Sequence, residues 1–329
     1  MSALAPTLQA YFTERLLNQQ QASPHTVAGY RDTFRLLLAY AEQRSGKTPS
    51  ELGFEDLDAE AIGAFLDHLE VDRGNSVRTR NGRLAAVHSL FRFAALRHPE
   101  HAGLIARVLA IPTKRFDRSD VAYLTQGEAE ALLGAVDCTR WIGRRDHALL
   151  ALALQSGLRV SELTGLCCQD VQLGRGAHVR CTGKGRKARC TPLTPEMVTI
   201  IGEWLHERRG LPGDVLFPTS RGRALSRDAV SLLLNKYVNI ATISCPTLSS
   251  KSVTPHVLRH SAAMSLLHAG VDATVIALWL GHENTRTTEI YIHADLSLKE
   301  RALARTAPPG TAPGRYRAPD TLLAFLENL

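Results

Sequence analysis

No stretch of this 329-residue chain approaches the ~18 consecutive apolar residues that a membrane span needs, which rules out a transmembrane reading. Residues 1–10 lack a basic stretch followed by an apolar one, so no secretory signal is visible and a cytoplasmic location is expected by default. Six cysteines occur, yet no C-x-x-C pair. The adjacent Cys167 and Cys168 point apart on any regular element, and Cys138, Cys181, Cys190 and Cys245 are scattered. Reduced thiols are therefore expected, with no disulfide framework and no metal site. Internal repeats are absent too.

What is present is positive charge. Lys and Arg total 39 against 32 acids, giving +7 and a pI near 9.3. Much of the excess is arginine, whose planar fork grips phosphate bidentately, so a polyanion, nucleic acid first, is the favoured partner. A hydrophobic share of 44% and a mean hydropathy of −0.10 suit a globular protein. At ~100–200 residues per domain, the length suits two domains.

Residues 1–110 show no strand alternation and read as helical. Ser23-Pro24 opens a helix carrying Val27, Tyr30, Phe34, Leu37 and Ala41 at helical spacing. A second starts near Asp58 with Ile62, Phe65, Leu66 and Leu69. A third runs from about Ser76 with Leu84, Val87, Leu90 and Phe91 on one face and Arg78, Arg80 and Arg83 off it. Those arginines suit a face laid along DNA phosphates or, equally, a solvated surface. Residues 111–120, with Lys114 and Arg115, lose the periodicity and read as a linker. Thr125 to Glu128 forms a capping-box pattern that opens a second domain, 121–305. There, helices are expected near 145–155, 160–166, 195–208, 226–239, 255–269 and 272–280. Two strands, 178–182 and 188–193, flank a glycine-bearing turn. The Pro- and Gly-rich 306–317 reads as a tether to a short apolar helix ending at Leu329.

Four fragments of the second half carry chemistry. In Gly157-Leu158-Arg159-Val160-Ser161-Glu162-Leu163, Arg159 sits at a helix start that favours an anion. Glu162 is placed to reach back and orient it; alone this is also a common surface ion pair. Gly183-Lys184-Gly185-Arg186-Lys187 offers close backbone approach and a projecting lysine, but lacks the Walker spacing and suits an ordinary basic turn. In Pro255-His256-Val257-Leu258-Arg259-His260-Ser261, His256 and Arg259 share a helix face. Last come Leu280-Gly281-His282 and, nine residues after the histidine, Tyr291 in Thr-Thr-Glu-Ile-Tyr.

In this order and spacing, the fragments resemble the tyrosine recombinase (phage integrase) family, Xer-like and nearest to recombinases of mobile elements. The resemblance spans nearly the whole chain. It implies a mainly α fold with a small antiparallel sheet in the catalytic domain, preceded by a helical core-binding domain. It implies a catalytic set of Arg159, Lys184, His256, Arg259, His282 and the nucleophile Tyr291, with Glu162 orienting. Arg78, Arg80, Arg83, Lys114, Arg115, Arg186 and Lys187 would contact the DNA backbone. The partner implied is a double-stranded DNA site held by a homo- or hetero-tetramer, with partner recombinases and a C-terminal helix docked in cis or in trans. The chemistry is strand cutting and rejoining through a 3′-phosphotyrosyl link, without metal, ATP or redox cofactor. The role is mobile-element integration or transposition, with dimer resolution as the alternative. A DNA-binding protein without chemistry, or a type IB topoisomerase-like relaxing enzyme, would share the fold.

Overall fold

A computed structural model describes residues 3–116, 121–183, 188–208 and 213–281. The chain divides into two compact units, 1–118 and 119–329. Among the described residues, no helix is long and apolar enough to cross a membrane. The architecture is the expected one, mainly helical with a small antiparallel sheet.

In the first unit, α2 (Pro24–Ser45), α3 (Ala59–Val71) and α4 (Val77–Ala95) begin where the cap residues predict. Ser23, Asp58 and Ser76 each accept a backbone N–H of the first turn. Phe34 and Leu37, Ile62, Phe65 and Leu66, and Leu84, Val87 and Phe91 interlock as one core, closed by Ile105 and Val108 of α5 (Ala102–Leu109). Before them, α1 (Leu4–Ala10) runs into a π-helical stretch, Tyr11–Gln19. Along α1 and this stretch the buried residues Leu4, Thr7, Tyr11 and Leu16 step by three, four and then five. A wide turn shifts the apolar face by one residue and so breaks the 3.6-residue signal.

The N-terminal turns of α4 clasp the segment that follows α5. Arg80 is 5% exposed and donates to the Pro112 carbonyl at 3.1 Å, with Glu70 at 3.9 Å. Asn81 brackets Lys114, donating to its carbonyl (2.8 Å) and accepting from its N–H (3.1 Å). The Lys114 ammonium pairs with Glu70 and Asp67. Arg83 is half-buried, and desolvation pulls its guanidinium pKa down. Arg80 therefore does not line a solvent-facing phosphate surface. Lys114 is exposed but paired with acids, and among the described residues of this set Arg78 and Arg115 are exposed as well. Arg78 lies over the Phe116 ring at 5.3 Å. The correction has a simple cause: residues 112–116 fold back over a helix face that looks free when α4 is considered alone.

In the second unit, α6 (Gln126–Gly134) opens with the Thr125–Glu128 capping box. The central helix α7 (Trp141–Ser156) buries Ala148 to Ala153 as a continuous run and packs on α9 (Pro195–Glu207) and α11 (Pro255–His268). A helix apolar on all sides has to lie inside the unit. Alongside stand α8 (Val160–Thr164), α10 (Arg227–Ala241) and α12 (Ala273–Leu280). Strands β1 (Val171–Gln172), β2 (His178–Thr182) and β3 (Ala188–Pro192) form an antiparallel sheet in that order, with Cys181 opposite Arg189. The two-residue β1 is too short to show alternation in sequence.

Candidate active site

Helix α7 ends at Gly157, whose φ of +64° is the left-handed turn that favours glycine. A Cβ there would sit 2.6 Å from Leu280 Cδ2, so the loop into Arg159 lies tight against the end of α12. Arg159 extends from this turn, its side chain 29% exposed. Arg159 is the N-cap of the five-residue α8 that follows, and Glu162 reaches back to it, one oxygen accepting the Arg159 N–H at 2.8 Å and the other accepting from Arg159 Nη1 at 2.9 Å.

Glu162 serves a second arginine that sequence reasoning missed. Arg189 of β3 donates Nη1 to Oε1 (3.0 Å) and Nη2 to Oε2 (2.7 Å), a bidentate pair. The Glu162 side chain is only 4% exposed, and burial pushes its carboxyl pKa up. The bonds from Arg189 and Arg159 outweigh that and hold it below the ordinary carboxylate range. Beneath them, the buried Cys181 thiol is pushed up to about 11, chiefly by desolvation. It is an inert neighbour.

Arg259, on α11 behind the Thr254 cap and Pro255, is 4% exposed. Its Nη1 donates to the Gly157 carbonyl and its Nη2 to the Leu280 carbonyl, both at 2.7 Å. The last carbonyls of α12 thus meet three arginines in succession. Trp279 accepts from Arg189 Nε (3.2 Å), Leu280 from Arg259, and Gly281 from Arg159 Nη2 (3.2 Å). Cations at a helix C-terminus complement its partial negative charge. The Trp279 indole N–H adds a bond to the Ser156 carbonyl (3.1 Å). Gly281 has a φ of +65°, and a Cβ on it would stand 2.8 Å from Arg189 Nη1. The glycine is thus required by both conformation and space.

The structure brings Arg159, Glu162 and Arg259 together around one helix end. His256 stands exposed in the first turn of α11, one turn before the buried Arg259. Lys184, Arg186, Lys187, His282 and Tyr291 lie outside the described residues. Among the described residues, no group of three His, Cys, Asp or Glu side chains is placed to hold a metal ion.

His260 follows Arg259 and is half-buried. Desolvation, then the charges of His256 and Arg259, push it down to about 4. Unfolded, it would titrate near 6.5. Between those values the unfolded chain binds the extra proton, so this contribution is fully present above pH ~6.5 and is lost as pH falls toward ~4. Thermal melts are expected to lose roughly 1–2 kcal/mol over that window once solvent screening is allowed for. In His260→Gln that slope should flatten; an unchanged slope would refute the assignment.

Residues 122–297 match the phage integrase family, and residues 10–98 match its N-terminal SAM-like domain. The chain belongs to the phage integrase family of tyrosine recombinases, enzymes that cleave and rejoin DNA at specific sites. It is 54% identical to the Sinorhizobium fredii protein named "Putative integrase/recombinase y4rC", over 100% of this chain and 99% of the other. Tyrosine recombinase XerD of Pseudomonas aeruginosa is 31% identical over 94% of this chain and all of its own. Among solved structures, the Tn1549 transposon integrase in complex with transposon right end DNA shares the fold. It has a TM-score of 0.70 and 17% identity, covering 91% of this chain and 98% of that one.

Proposed function

We propose that the protein is a site-specific recombinase that cuts duplex DNA through a 3′-phosphotyrosyl link on Tyr291 and serves integration or transposition of a mobile element. The observation that carries the chemistry is the convergence of Arg159 and Arg259 on the adjoining carbonyls of Gly281 and Leu280, immediately before His282 in the chain. Two guanidinium groups fixed on one loop are preorganised to grip the non-bridging oxygens of a single phosphodiester.

Tyr291 attacks phosphorus and releases a 5′-hydroxyl, and bond energy is conserved in the protein–DNA link. A free phenol has a pKa of ~10, so it needs a base and a positive surrounding; His256 is the base in this reading. Lys184 protonates the departing 5′-oxygen, and His282 adds a donor to the phosphate. Glu162 orients Arg159. Paired exchange on two duplexes calls for four protomers, with the segment ending at Leu329 as the inter-protomer contact. The mobile-element role is supported by the greater identity, over the full chain, to the protein named integrase/recombinase. Dimer resolution by the same chemistry is the second reading, supported by the full-length match to XerD.

The test starts with a binding site recovered by selection from a random duplex library. The whole protein is incubated with a nicked duplex carrying that site, and the covalent adduct is mapped by mass spectrometry. Phosphotyrosine at Tyr291 is expected. Tight binding without any adduct would instead identify a DNA-binding protein that keeps the fold without chemistry. Relaxation of supercoils without paired-site exchange would identify a topoisomerase-like enzyme.

A further inference from the structure

Resting on the recombinase reading of the site, we propose that Arg189 is a positioning residue for strand cleavage. From β3 it fixes the Glu162 carboxylate, and through it the Arg159 guanidinium, against the end of α12. All three nitrogens of Arg189 are directed inward, two to Glu162 and one to the Trp279 carbonyl, and its side chain is 12% exposed. Its charge is matched by the Glu162 carboxylate, whereas Arg259 donates to two neutral carbonyls, so Arg189 is assigned to holding other groups rather than to gripping a phosphate. Its two partners are the acid that holds Arg159 and the residue two places before Gly281, whose carbonyl Arg159 also uses. One planar guanidinium sets the spacing between these elements, which a lysine point charge cannot reproduce.

The consequence is electrostatic as well as geometric. Glu162 is buried, and hydrogen bonds from Arg189 and from the backbone and side chain of Arg159 keep it ionised, with Arg189 the largest contributor. The charged and titratable groups that face it are Arg159 ahead of α8, Arg189 of β3 and Cys181 of β2. Arg259 of α11 acts on the same thiol, and α11 also carries His256 and His260. Without Arg189, Glu162 picks up a proton at a higher pH and then no longer holds Arg159 as an ion pair. A variant that only loosened the fold would slow cleavage equally at every pH.

The experiment compares wild type, Arg189→Gln and Arg189→Lys as whole proteins on the nicked duplex described above, at saturating DNA from pH 5 to 8. By analogy with outer partners that orient metal ligands, Arg189→Gln is expected to cleave about 10- to 100-fold more slowly near pH 7.5. Its affinity for the same duplex should stay within about threefold, because phosphate contacts dominate binding. Its acid limb should move to higher pH, with Arg189→Lys intermediate. The inference is overturned if Arg189→Gln cleaves like wild type, or if both variants slow by one factor at all pH values. In parallel, the Glu162 carboxyl is followed by carbon-13 NMR, assigned against Glu162→Gln. Its titration should shift upward in Arg189→Gln, and an unmoved titration also overturns the inference. If Arg189→Gln does not fold, Arg189→Lys carries both measurements. If wild type itself forms no adduct, the recombinase reading fails, and the carboxyl titration decides the positioning role alone.

Discussion

Replacing Tyr291 by phenylalanine is expected to abolish the covalent protein–DNA adduct while leaving DNA affinity within about twofold. The substitution removes one oxygen, the atom that would bond to phosphorus. It removes no positive charge, and charge on phosphates supplies most of the affinity of such proteins. Cleavage and binding should therefore separate completely in this variant. The measurement is a gel assay of adduct beside a binding titration on the same duplex. An adduct that survives in Tyr291→Phe, attached elsewhere, would remove this tyrosine from the mechanism.

Arg259→Lys is expected to lower cleavage by about 10²- to 10³-fold, the usual consequence of losing one donor to a charge that develops in the transition state. The residue is buried and joins the Gly157 and Leu280 carbonyls through two different nitrogens. An ammonium group on a flexible stem keeps the charge but cannot span both carbonyls and present a planar face to a phosphate. The carbonyls left without their donor should also lower stability by roughly 1–3 kcal/mol. Single-turnover cleavage and a thermal melt check both effects. A lysine variant within tenfold of wild type would show that charge alone, without the fixed fork, is sufficient.

Much of the scaffold was legible because local chemistry and tertiary structure agree. Ser23, Asp58, Ser76 and Thr125 cap helices that begin where the sequence places their starts, and Thr254 caps α11. The apolar faces of α2, α3 and α4 are the buried ones. What stayed hidden depends on contacts distant in sequence. Arg80 lies off the apolar stripe of α4, and only the return of Pro112 across it converts a surface arginine into a buried one. Arg189 escaped notice in a basic run, where it looked like one more solvated charge. Strand periodicity held the signal: residues 189 and 191 face the side on which Cys181 is buried, and an arginine on that face needs an acid. Glu162 was already in view as the partner of Arg159. Its capacity for a second guanidinium was not, since nothing in the spacing of residues 159 and 162 implies a third group.

The end of α12 is held by side chains 122, 90 and 21 residues away in the chain, on Arg159, Arg189 and Arg259. Such an arrangement makes the placement of Gly281 a shared property rather than the work of any one arginine. Groups that act as a unit are not additive, so the first arginine removed takes most of the effect and the second little more. Double-mutant cycles among the three would therefore return large coupling energies, and single substitutions would each overstate what one arginine contributes.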